Sequence, residues 1–118
     1  MSRVLCRILP AVALCAGAIA TMSCAWAADI AGRMTGDYLQ QCVSDQAACR
    51  DYTNSVLQVL DAARSLGQGR NYKGCAPSPL SLEDTGKLIE WILNRPQQAT
   101  GYAADDIAMA AQALWPCK

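Results

Sequence analysis

The sequence predicts an all-α fold, a small four-helix domain stapled by disulfides. Three observations carry this. Four segments place apolar residues at helical spacing, separated by one short polar turn and two Gly- and Pro-bearing breaks. No stretch alternates apolar and polar residues with the two-residue period of a half-buried strand. Four cysteines remain once the first 27 residues are set aside as an export signal, an even count in a short chain.

The export reading rests on the opening MSRVLCRILPAVALCAGAIATMSCAWA. Arg3 and Arg7 form a basic start, Ile8 to Met22 is apolar and uncharged, and Ala25-Trp26-Ala27 supplies small residues for cleavage. This is the order of parts in a secretory signal peptide cut after Ala27. The apolar run is shorter than the roughly 20 residues of a spanning helix. A lipoprotein anchored through Cys24 is the competing reading, although Thr21 stands where such sites prefer a Leu-type residue. Residues 28–118 then form one small domain, periplasmic or secreted. Its eight basic side chains face ten acidic ones, a net charge of −2. That balance offers no basic footprint for nucleic acid and no polybasic patch for a membrane surface.

Ile30, Met34, Tyr38 and Leu39 fall at helical spacing over Ile30 to Gln41, where Gly32 and Gly36 weaken the first half; the firmer piece is TGDYLQQC, with Thr35 a candidate N-cap. VSDQA reads as a turn in which Ser44 or Asp45 caps the next helix, about Gln46 to Leu66. Cys49, Tyr52, Val56, Val59, Leu60 and Ala63 make one stripe there. Residues 67–74, GQGRNYKG, read as a flexible loop, continued by the extended CAPSP. Ser81 opens the third helix as the head of an approximate capping box with Asp84. Its stripe is Leu82, Thr85, Leu88, Ile89, Ile92 and Leu93, and Pro96 stops it. QQATG is a turn. Tyr102 to Trp115 forms an Ala-rich fourth helix, with Ala103, Ile107, Ala110, Ala111 and Leu114 on one face. Trp91 lies off its helix's main stripe, more a core residue than an interface one.

The chemistry-bearing residues are Cys42, Cys49, Cys75 and Cys117. Four cysteines allow three pairings, and spacing does not choose among them. There is no histidine and no C-x-x-C pair, so a zinc set and a dithiol redox motif both lack their parts. A serine or cysteine nucleophile would lack an imidazole base, and no phosphate-cradling G-x-x-x-x-G-K-[ST] occurs. Asp105 and Asp106 read as helix-start charges that suit the dipole. The chain is therefore expected to be no enzyme, to carry no cofactor or metal, and to act by binding. Loops position contact residues on rigid scaffolds, and Arg and Tyr are favoured anchors. The candidate contacts are Arg70, Tyr72 and Lys73 in the 67–74 loop and Tyr102 in the turn Arg95 to Tyr102.

Several of these motifs occur together in a known family. Leu39-x-x-Cys42, Cys49-x-x-Tyr52, Cys75-x-Pro77, Asn94-x-Pro96 and the ending Ala113-Leu114-Trp115-Pro116-Cys117 resemble the Rap/Tai-type immunity proteins. The resemblance covers Asp37 to Lys118, and Ser55 departs from a glycine common in the family. It implies an exported all-α protein that binds a peptidoglycan amidase delivered by type VI secretion and occludes its active site, with a homodimer left open. An acid chaperone or stress protein of the cell envelope is the alternative. With the resemblance in place, the pairing expected is Cys42–Cys49 and Cys75–Cys117, and the turn after Cys42 makes the first of these reachable.

Overall fold

A computed structural model of the chain describes residues 32–67 and 71–118. The expected export signal at residues 1–27 and the expected contact residue Arg70 lie outside the described residues. Four helices follow in order: α1 (Thr35–Ser44), α2 (Gln46–Ser65), α3 (Leu82–Leu93) and α4 (Ala103–Leu114). A short 3-10 turn, Pro96–Gln98, stands between the last two. Among the described residues there is no strand, only isolated bridges pairing Met34 with Tyr102 and Gly74 with Pro116. No helix among them is long and apolar enough to cross a membrane.

Asp45 makes the corner between α1 and α2. Its extended backbone ends α1, its N–H bonds to Gln41 O at 2.8 Å, and its carboxylate accepts from Ala48 N at 3.1 Å to start α2. On one unbroken helix, residues seven apart would sit about 10.5 Å from each other. The corner brings the Cα atoms of Cys42 and Cys49 to 4.7 Å, and the two are bridged. Gly67 closes α2 in the left-handed region, φ 74°, as a C-terminal glycine that a side chain would strain.

Cys75 and Cys117 form the second bridge. Backbone bonds reinforce it, Cys75 N to Trp115 O at 2.7 Å and Cys117 N to Lys73 O at 2.9 Å. The segment 71–74 is therefore pinned to the end of α4 rather than flexible. Two disulfides of this kind fit a non-reducing compartment.

The core forms where α4 packs against all three other helices. Ala103, Ile107, Ala110 and Ala111 have no exposed surface, and the small alanines let neighbouring backbones approach. Tyr38, Val56, Leu80 and Leu88 fill the space between. Tyr38 also donates or accepts a 2.7 Å bond with the Thr53 hydroxyl, so its polar end is satisfied inside.

Several expectations need correction. Thr35 is the first residue of α1, not its cap; Met34 occupies the cap position without a side-chain bond, because the Thr35 hydroxyl is drawn to Asp106. Met34 itself is exposed. On α2 the buried face runs through Thr53 and Leu57, whereas Val59 is exposed. On α3 only Thr85, Leu88 and Ile92 are buried, and Leu82 and Leu93 face outward at its two ends. Trp91 is half-buried, covered by the Arg95 guanidinium 4.6 Å above its ring. Ser81 behaves as expected, accepting from Asp84 N at 3.1 Å.

Candidate functional site

Two of the expected contact residues, Tyr102 and Lys73, fall at opposite ends of α4. Tyr102 is the residue that caps its N-terminus. Lys73 is exposed at the other end, where its N–H donates to Gln112 Oε1 at 2.9 Å. A helix of 12 residues is roughly 18 Å long, so these two do not form one patch.

Tyr72 is not a surface contact. It is 6% exposed, and its ring lies against Gly74. A Cβ at Gly74 would come within 2.5 Å of the Tyr72 hydroxyl, so glycine is what lets the ring fold inward. Arg64 stands 5.6 Å from the ring centroid and shields its outer side. Burial raises the Tyr72 pKa above its ordinary value, with the Asp61 charge adding to the rise. The sequence around Tyr72 is polar, but the residues that enclose the ring are Arg64 of α2 and Gly74.

The Tyr102 end is built differently. Tyr102 is 49% exposed, and the adjacent Met34 is 47% exposed. They face each other across an antiparallel bridge. Thr35 N bonds to Gly101 O at 2.9 Å and Ala103 N to Arg33 O at 3.0 Å, so two chain segments are laced together beneath the pair. Gly101 has φ 89°, a backbone shape that a side chain would resist, and it turns the chain into α4.

Asp106 holds this end in place. It is 1% exposed and accepts from Thr35 Oγ1 at 2.5 Å, Thr100 N at 2.8 Å and Thr100 Oγ1 at 3.0 Å. Its role is to tie the start of α1 and the 99–101 turn to α4, beyond the helix-start charge the sequence suggests. The Thr100 hydroxyl in turn accepts from Tyr102 N at 3.2 Å. The result is an exposed Met–Tyr pair on a backbone with little freedom left. Such a surface loses little entropy when it binds.

No known protein family, curated protein or solved structure matches this chain.

A second apolar area lies beside the Cys42–Cys49 bridge. Leu82, Gly86 and Ile89 line an open depression of about 120 Å³ there. That volume is below the 300–1,000 Å³ typical of small-molecule sites, so the area is a surface rather than a ligand pocket. Among the described residues no group of three or more His, Cys, Asp or Glu side chains stands together to hold a metal.

Proposed function

We propose that this is an exported inhibitor that binds a peptidoglycan amidase-type effector in the periplasm and covers its active site, as the Rap/Tai resemblance implies. The observation that supports it is the Met34–Tyr102 pair, two large exposed side chains on a backbone clamped by Asp106. Aromatic and Met side chains are enriched at protein interfaces, and rigidity beneath them favours affinity. On this reading Tyr102 is the central contact, Met34 joins it, and Lys73 belongs to a separate edge. Residues 1–27 act as the signal that delivers the chain.

The test is hydrolysis of peptidoglycan by a type VI amidase effector from the same cell, with and without the chain carrying both disulfides. The expected result is stoichiometric inhibition and a one-to-one complex on size exclusion. Full hydrolysis at molar excess, together with suppression of client aggregation in acid, would instead favour the envelope-chaperone role.

A further inference from the structure

The two disulfides sit in contrasting surroundings. Cys42 and Cys49 are 8% and 1% exposed. Cys75 is exposed and Cys117 half-buried. Arg64 lies against the second bridge, with Nη1 3.1 Å from Cys117 Sγ and 3.8 Å from Cys75 Sγ. The guanidinium is held there by other bonds. Nη1 also donates to Gly74 O at 2.7 Å, and Nη2 pairs with Asp61 at 2.9 Å. A neutral disulfide gains little from a neighbouring cation. A thiolate gains much more, because an opposite charge this close favours the ionised form.

We propose that Cys75–Cys117 is a thiol-exchange site, in which Cys75 is the sulfur attacked and Cys117 leaves as a thiolate stabilised by Arg64. The incoming reactant is a low-molecular-weight thiol in its thiolate form. Its sulfur bonds to Cys75 Sγ, the Cys75–Cys117 bond breaks, and the electron pair goes to Cys117 Sγ beside the guanidinium. The incoming thiol is oxidised into a mixed disulfide on Cys75, and Cys117 is reduced. Direction follows from the two sulfurs' positions. The exposed one receives the nucleophile, and the one nearer the cation is the better leaving group. Cys42 and Cys49 are 8% and 1% exposed, so an incoming thiolate has little access to the first bridge and it stays closed. The exchange frees the segment after α4 from its covalent anchor and leaves the two backbone bonds around it. This inference is independent of the amidase-inhibitor reading.

The experiment uses the folded chain with both bridges formed, treated with reduced glutathione, acid-quenched, alkylated and peptide-mapped. Glutathione should appear on Cys75, with Cys117 alkylated and Cys42–Cys49 intact. Glutathione mainly on Cys117, or earlier opening of Cys42–Cys49, overturns the proposal. Rates in variants separate charge from packing. Arg64→Gln should slow exchange on the order of threefold, Arg64→Lys should retain most of the rate, and Asp61→Asn should raise it by removing the opposing charge. If Arg64 merely packed the segment, both Arg64→Gln and Asp61→Asn would loosen it and both would speed exchange. An unchanged or faster rate in Arg64→Gln therefore contradicts the role given to the guanidinium.

Discussion

The Thr35 hydroxyl donates to the Asp106 carboxylate at 2.5 Å, joining residues 71 positions apart in a buried contact. Together with the two Thr100 bonds, it gives a buried carboxylate three donors. Removing the acceptor leaves those donors without it in a tight site, at about 1–3 kcal/mol for each one left unsatisfied. Asp106→Ala should lower stability by about 3 kcal/mol in urea denaturation. Hydrogen exchange at the Thr100 amide should accelerate in the same variant. A loss below about 1 kcal/mol would mean the turn is held by something else.

The second bridge closes a longer segment than the first, with 42 positions between its cysteines against 7. On the chain-entropy model the long loop contributes about 4 kcal/mol and the short one about 2.5. Cys117→Ser should therefore destabilise far more than Ser81→Ala, which loses one cap worth about 1 kcal/mol. Denaturation midpoints compare them directly. Matching midpoints would show that the segment after α4 is not structural.

Two glycines make opposite predictions. Gly86 lies inside α3, and a Cβ there would meet nothing within 4 Å. Gly86→Ala should stabilise the protein by about 0.5–1 kcal/mol through helix propensity. At Gly74 a Cβ would strike the Tyr72 ring, so Gly74→Ala should destabilise and expose that tyrosine. Melting temperatures read both signs, and a stabilised Gly74→Ala would contradict the packing of Tyr72.

Much of this fold was legible because its signals are local. Asp45 and Ser81 announce their helices through side-chain caps that bond three residues ahead. Pro96 and Gly67 mark breaks through backbone restrictions of their own. The alanines of α4 name its buried face. The errors arise where distant segments decide the outcome. Tyr72 turns inward because Gly74 and Arg64 make room and cover for it. Thr35 gives up capping because a carboxylate from α4 reaches it. Asp106 looks like its neighbour Asp105 in sequence, and only tertiary packing buries one and exposes the other. For the candidate site, the sequence names Tyr102 as a candidate contact at the start of the fourth helix, and its side chain is exposed. Met34 beside it was missed, since helical spacing assigned it to the core.

Alkaline pH should weaken the fold through Tyr38. Burial pushes its hydroxyl up to about 12 from the usual value near 10, partly offset by the Thr53 bond. The folded state thus holds this proton more tightly than the unfolded chain. Its contribution is complete below about pH 10 and is lost as pH rises toward 12, a change of about 2.5 kcal/mol. The Tyr72 shift acts in the same direction. Urea midpoints across this range should fall with pH, in step with late-appearing tyrosinate absorbance. Level midpoints would contradict the burial of Tyr38.

The proposed role of the Met34–Tyr102 pair as the contact surface for an amidase effector is read out by a calorimetric titration of that enzyme. Wild type is compared with the Met34→Ser, Tyr102→Ala double variant and with Lys73→Ala at the far end of α4. The double variant should bind at least about tenfold more weakly at an unchanged melting temperature, while Lys73→Ala binds as wild type does. Equal affinity in the double variant, or a loss confined to Lys73→Ala, would contradict it.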